Sequence, residues 1–287
     1  MLIRSEKLGG LRQSVREELK AYYTPEELVA IERVLFSFIT GLSPSKLVLE
    51  KETALTESQL FGLQRAVRRL KDQEPLQYIT QQAHFRGLEF FVDDRVLIPR
   101  PETEELVEWV LESGIREGAK VMDIGTGSGC IAISIKAECR GSEVYAVDIS
   151  SGALEVAQKN AEKLAAEVHF IEMDILDQDQ QKELPTIDVI ISNPPYVTPA
   201  DKLLMKGNVV RYEPHLALFV GDDDPLVFYR EIIHFSISTL NEGGRIFFEC
   251  NERSVGQVAG MLSTTGFGKV EIKKDMRGKN RFVKGTV

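Results

Sequence analysis

Ile187-Asp188-Val189-Ile190-Ile191-Ser192-Asn193-Pro194-Pro195-Tyr196 is the stretch around which this chain is organised. Five of its first six residues are aliphatic or small, which reads as a strand buried on both faces. Two prolines cannot continue a central strand, because they donate no ladder hydrogen bonds. The strand therefore stops and presents Asn193 at its carboxyl end, where open α/β sheets place ligands. Pro194 and Pro195 fix φ and stiffen the loop. The Asn193 side-chain carbonyl and the Pro194 main-chain carbonyl are two acceptors for a single NH2 group, and Tyr196 supplies a flat apolar wall. The stretch reads as a site for a planar amide or amino group. A plain Pro-rich turn after a strand is the competing reading.

Upstream, Val121-Met122-Asp123-Ile124-Gly125-Thr126-Gly127-Ser128-Gly129 joins a strand to a helix that opens Cys130-Ile131-Ala132. Glycines at such a turn allow positive φ and close approach of a ligand to the backbone. A dinucleotide fingerprint needs its third glycine at position 130, which is Cys; the pattern is DxGxGxG instead. The next strand, Val144-Tyr145-Ala146-Val147, ends in Asp148. An acidic residue about 20 residues beyond the glycines can accept both hydroxyls of a ribose. The alternative for Asp148 is an N-cap of the helix starting near 151. With Asn193–Tyr196 at a later strand end, the combination points to a nucleoside-bearing ligand beside an amino-group site.

Around these motifs strands and helices alternate, the signature of a parallel α/β sheet. Strands are expected near 119–124, 143–148, 167–171, 187–192, 244–250, 269–274 and 280–285, and helices near 128–139, 151–165, 225–241 and 253–265. The N-terminal region differs. Thr24-Pro25-Glu26-Glu27 and Thr56-Glu57-Ser58-Gln59 are capping boxes. Each precedes an apolar stripe: Leu28, Ile31, Leu35 and Phe38, then Leu60, Leu63, Val67 and Leu70. Residues 1–75 are thus a small helical bundle, 76–100 a linker and 101–287 the α/β domain. Within the linker, His84–Val92, Asp93-Asp94 and Arg95–Ile98 read as a β-hairpin turning at the two aspartates.

The 287 residues fit two domains at roughly 100–200 residues each. There is no apolar run of about 20 residues, so no membrane span is expected. Met1–Lys7 shows no signal-peptide core. Three cysteines without a CxxC and four scattered histidines give no metal motif and suit a reducing cytoplasm. Net charge is −9, whereas dedicated nucleic-acid binders are usually basic. The charge sits downstream: residues 1–75 hold 12 Lys+Arg against 11 Asp+Glu, the rest 23 against 33. An acidic body either steers a basic partner or simply aids solubility.

Gly125–Gly129, Asp148 and Asn193–Tyr196 together resemble a class I S-adenosylmethionine-dependent methyltransferase acting on nitrogen. The blocks Leu97-Ile98-Pro99-Arg100-Pro101-Glu102-Thr103-Glu104, Tyr212–Phe219 and Phe228-Tyr229-Arg230 narrow this to a resemblance with the HemK/PrmC family over nearly the whole chain. That resemblance implies a seven-stranded Rossmann-like methyltransferase sheet behind a small helical bundle and a hairpin linker. It implies S-adenosylmethionine as cofactor, and peptide-chain release factors as protein substrates, methylated on the glutamine amide of their Gly-Gly-Gln motif. It implies no metal, no membrane and no direct nucleic-acid partner. Residue by residue, Gly125, Thr126, Gly127, Ser128 and Gly129 pass close to the methionine part of the cofactor, Asp148 holds the ribose, and Asp174 and Ile175 flank the adenine. Asn193 touches both cofactor and substrate; Asn193, Pro194 and Tyr196 are catalytic and, with Pro195, make the substrate site, with Phe85, Arg100 and Glu102 closing over it from the linker or serving as its structural junction. Glu249-Cys250-Asn251-Glu252-Arg253 departs from the family pattern by lacking a glycine.

An exocyclic amino group of adenine or guanine offers the same two donors as a glutamine amide. A nucleic-acid methyltransferase is therefore the alternative, but it needs a basic groove and a flipped base. A non-enzymatic release-factor binder conflicts with intact glycines, Asp148 and Asn193. The glycine spacing disfavours an oxidoreductase.

Overall fold

Thr24 and Thr56 do start helices, and both boxes close. Glu27 and Gln59 reach back to the Thr N–H groups at 3.0 and 2.9 Å, and each Thr hydroxyl accepts from the third helical N–H. The computed structural model describes residues 7–181, 184–202, 205, 207–221 and 224–287, so the leading Met1–Glu6 stretch lies outside the described residues. The chain divides into two units, 1–81 and 82–287.

The first unit holds α1 (Leu8–Leu19), α2 (Pro25–Thr40), α3 (Pro44–Leu49), α4 (Glu57–Lys71) and α5 (Leu76–Thr80). Leu11, Leu35, Phe36, Leu63 and Leu70 are fully buried in its core, and Ile79 of α5 joins them. Glu32 is also buried, and its charge is met by ion pairs to both Arg12 and Arg16.

The second unit opens with β1 (Ala83–Phe85) and β2 (Leu88–Phe90), an antiparallel pair. The linker does hold a hairpin, but not the expected one: His84–Val92 does not pair with Arg95–Ile98, and the chain turns instead at Arg86-Gly87 within the first expected strand. Both turn residues have positive φ, 48° and 74°, the geometry that matches the twist of a two-residue hairpin. The Asp93 carboxylate instead accepts from the Arg95 N–H at 3.1 Å, and 95–98 is not a strand. The remaining elements are α6 (Pro101–Glu112), β3 (Lys120–Ile124), α7 (Cys130–Glu138), β4 (Glu143–Asp148), α8 (Ser151–Lys163), β5 (Val168–Glu172) and β6 (Ile187–Ser192). They continue with α9 (Pro199–Lys202), α10 (Gly207–Tyr212), α11 (His215–Leu218), α12 (Val227–Thr239), β7 (Leu240–Glu249), α13 (Val255–Thr264), β8 (Lys269–Lys274) and β9 (Asn280–Thr286).

Strands β3 to β9 form one sheet in the order β5-β4-β3-β6-β7-β9-β8. All neighbours are parallel except β7–β9 and β9–β8. Helices cover both faces. Ile190, Tyr229, Ile246 and Phe248 are buried on one face, and Phe85, Val121, Ile191 and Phe247 on the other. The chain winds outward from β3 to β4 and β5, then returns to the other side of β3 as β6. The carboxyl ends of β3 and β6 are therefore a topological switch point, where such sheets bind ligands. Register puts Ile124 beside Ser192 and Ser192 beside Phe248. Gly125, Asn193 and Glu249 therefore leave three adjacent strands at one level.

Candidate active site

Two clefts meet at this edge. The first is lined by Gly125, Gly127, Asp148, Asp174, Ile175 and Asn193 together with apolar Leu176, Phe228 and Ile232. The second is lined by Arg100, Tyr196, Asn251, Arg253, Lys279 and Arg281 among others. Leu97, Asn193, Pro194 and Ala217 line both, so the Asn-Pro step is the wall between them.

The glycine turn is pinned to the end of β4: the Val147 carbonyl accepts from Gly125 N and Thr126 N at 2.8 and 3.0 Å. Gly125, Gly127 and Gly129 all have positive φ, 76°, 55° and 80°. A Cβ at Gly125 or Gly127 would meet nothing within 4 Å, so the turn is open on that side. At Gly129 a Cβ would lie 2.9 Å from Ile133 Cδ1 and 3.1 Å from Ala157 Cβ. That glycine lets the turn pack against α7 and α8. Thr126 and Ser128 are buried; the Thr126 hydroxyl donates to Asp123 Oδ2 at 2.6 Å, so it holds the turn's shape from behind. Burial pushes the Asp123 carboxyl up to about 7 despite that bond.

Asp148 is not the helix cap. Ser150 caps α8, accepting from Ala153 N at 3.2 Å. Asp148 instead receives Gly127 N–H on Oδ2 at 2.9 Å and Ser150 N–H on Oδ1 at 3.0 Å. Burial raises its pKa, and these backbone bonds oppose the shift. A carboxylate offers about four acceptor positions, so about two remain for a pair of ligand hydroxyls. An open glycine turn, a spare carboxylate and an apolar slot beyond Asp174 and Ile175 fit the methionine, ribose and adenine of S-adenosylmethionine.

The other expected residues fall in different places. Arg100 lines the second cleft, but its Nη2 donates to both Glu213 carboxylate oxygens, at 2.7 and 2.8 Å. Glu102 lines neither cleft and lies 3.8 Å from Arg277. Phe85 is buried in the core, edge-on to Phe90 at 6.2 Å. Pro195 lines the first cleft and Tyr196 the second.

Two residues that the sequence placed in quoted blocks, without a site role, also belong here. Asn193 Nδ2 donates to Thr103 Oγ1 at 3.1 Å, and that hydroxyl donates to Glu249 Oε2 at 2.8 Å. The Tyr196 hydroxyl reaches Glu249 Oε1 at 3.4 Å. Thr103 and Glu249 are 146 residues apart in the chain, so only the fold shows them as partners.

A doubly wound sheet with a DxGxGxG turn, an acidic residue closing β4 and Asn-Pro-Pro-Tyr closing β6 defines a class I methyltransferase. Residues 102–210 match the family described as methyltransferase small domain, and residues 11–80 match the PrmC N-terminal domain. A methyltransferase from Pyrococcus furiosus shares the fold, with a TM-score of 0.53 at 19% identity over 78% of this chain and 98% of its own. A release factor glutamine methyltransferase of Flavobacterium psychrophilum is 38% identical over 93% of this chain and 95% of its own. Its counterpart from Bacteroides thetaiotaomicron is 39% identical over 94% and 96%. The chain belongs to the release factor glutamine methyltransferase family.

Proposed function

We propose that this protein transfers a methyl group from S-adenosylmethionine to the side-chain amide nitrogen of the Gly-Gly-Gln glutamine of peptide-chain release factors. The supporting observation is the shared wall: Asn193 and Pro194 line both clefts, so a group entering the second meets a cofactor in the first at these two residues.

S-adenosylmethionine supplies an electrophilic methyl when bound. An amide nitrogen is a poor nucleophile, because its lone pair is delocalised into the carbonyl. Asn193 Oδ1 and the Pro194 carbonyl each accept one of its N–H groups and aim the remaining lone pair at the methyl. Positive charge develops on this nitrogen as the bond forms, and the two fixed carbonyl dipoles stabilise it. The proton leaves after transfer, when the nitrogen is acidic, so no strong base is required. Tyr196 and Pro195 shape the walls on either side. Asp148 binds the ribose hydroxyls, Asp174 and Ile175 the adenine, and Gly125 to Gly129 the methionine end.

Incubation with labelled S-adenosylmethionine and either release factor or nucleic acid tests the assignment. Label on the release-factor glutamine is expected; label on nucleic acid alone rejects it. In this reading the N-terminal helices contact the release factor and not the reacting atoms. A chain beginning at residue 82 should then bind cofactor normally yet methylate intact release factor poorly, and full activity removes that role. The setting is the cytoplasm; among the described residues no helix is long and apolar enough to cross a membrane.

Asp148→Ala should weaken cofactor binding by about 1.5–3 kcal/mol, the range for hydrogen bonds to a charged group. Calorimetry showing unchanged affinity takes Asp148 out of the ribose site.

A further inference from the structure

Asn193 has to present its carbonyl oxygen and not its NH2 to the substrate, and the two ends of an amide have nearly the same shape. Something must fix which end faces the cleft. Among the described residues nothing donates to Asn193 Oδ1, whereas Nδ2 is held by Thr103 Oγ1 at 3.1 Å. A hydroxyl carries one proton. The Thr103 proton goes to Glu249 Oε2, 2.8 Å away, which leaves only lone pairs for Asn193. An ionised Glu249 is acceptor-only, so it dictates the direction of the whole chain of bonds. Its other oxygen takes the Tyr196 hydroxyl at 3.4 Å. One buried carboxylate at the end of β7 therefore bears on both ends of the Asn-Pro-Pro-Tyr stretch, on Tyr196 directly and on Asn193 through Thr103.

We infer that Thr103 and Glu249 are positioning residues for methyl transfer: the Glu249 carboxylate polarises the Thr103 hydroxyl so that Asn193 can only turn its carbonyl oxygen toward the substrate amide. This rests on the release-factor reading above.

Glu249 is 2% exposed, and its charge has partners on every side. Burial pushes its pKa up to about 7; Thr103, Arg281 of β9 and Tyr196 pull it down, and Glu102 of α6 pushes it further up. Tyr229 of α12 donates to the Glu249 main-chain carbonyl at 3.0 Å, and Cys250 adjoins it with a thiol raised by burial. Once protonated, Glu249 becomes a donor. Its O–H can then donate to Thr103 Oγ1, whose own proton turns to Asn193 and is accepted by the amide oxygen, leaving the Asn193 NH2 toward the cleft. The raised pKa means that the productive orientation is about half populated near pH 7, prevails as the pH rises above it and is lost as the pH falls below it.

The full-length protein tests this by single-turnover methylation of release factor from pH 5.5 to 9, with calorimetric cofactor binding as the check on folding. Thr103→Val keeps the shape and loses the relay. It is expected to turn over about tenfold more slowly at pH 8, with cofactor affinity and release-factor KM held within about twofold, and with no fall toward acid. Thr103→Ser restores the hydroxyl and should recover both the rate, within about threefold, and the acid fall. Glu249→Gln should abolish the acid fall. Asp123, the other buried carboxyl near neutrality, is intact in all three. An acid fall that persists in Glu249→Gln, or a wild-type rate in a cofactor-binding Thr103→Val, overturns the inference. If wild-type protein labels no release factor at all, the substrate assignment falls and this inference with it.

Discussion

Asn193→Ala is expected to reduce turnover roughly a hundred- to a thousandfold. The substitution removes one of two acceptors from the wall between the clefts and leaves the Pro194 carbonyl. The substrate NH2 is then held at one hydrogen and can rotate off the attack line. A misplacement on the order of 1 Å costs about a hundredfold. Loss of one preorganised dipole costs about a hundred- to a thousandfold, and the two overlap because they are the same lost contact. Asn193→Asp separates geometry from chemistry. Its carboxylate still accepts from the amide, and its negative charge favours the positive charge developing on nitrogen. It loses the Nδ2 donor that Thr103 now accepts from, so its orientation is less fixed. Asp should therefore retain more activity than Ala but less than Asn. Single-turnover methylation of a release factor by both variants decides this. Near-normal turnover in Asn193→Ala would reduce Asn193 to a turn residue and leave the strand-end site without its acceptor.

Much of the fold was legible because its signals are local. Ile187–Ser192 reads as a doubly buried strand from six consecutive residues, and it is β6 over those bounds. The two threonine capping boxes lie within four residues each and formed as read. Where a reading failed, a stronger local rule was missed or a distant partner decided. Asp93-Asp94 looked like the hairpin turn, but Arg86-Gly87 takes the two positive φ angles that a two-residue hairpin needs. Leu76–Thr80 reads as connector in the sequence, yet it forms a short helix whose Ile79 joins the bundle core. Thr103 and Glu249 each stand in a quoted block, but their pairing lay beyond reach of any pattern, because a hydroxyl early in α6 and a carboxylate ending β7 become partners only when the sheet closes. The departure at 249–253 also becomes clear: Glu249 is the anchor, and the Asn251 and Arg253 side chains both reach Asp201, at 3.5 and 3.0 Å.

Arg100→Ala is expected to destabilise the catalytic unit by about 3 kcal/mol, the low end for stripping one partner from a buried ion pair. Glu213 is 1% exposed and Arg100 31%, so the carboxylate bears the cost of burial while the guanidinium is partly wet. Without Arg100, Glu213 keeps one donor among the described residues, the Ile98 N–H at 3.3 Å on Oε2. That bond is too weak to compensate an ion held out of water. The pair also ties the Pro99-Arg100-Pro101 entry to the segment after α10, and both strands of chain reach the clefts through Leu97 and Ala217. Arg100→Lys should recover only part of the loss, because it restores the charge on a more strongly hydrated ammonium with a shorter reach. Trp109 is the sole tryptophan and packs edge-on to Phe247 at 5.5 Å, so its fluorescence reports the unfolding of this unit. Urea titration followed at Trp109 should show the midpoint falling in the order wild type, Arg100→Lys, Arg100→Ala, with the slope unchanged. Removing the charge instead, Glu213→Gln in the Arg100→Ala background, should restore part of the stability, because the buried group is then neutral. If Arg100→Ala kept wild-type stability and lost only release-factor methylation, Arg100 would be a substrate ligand, and its bond to Glu213 incidental.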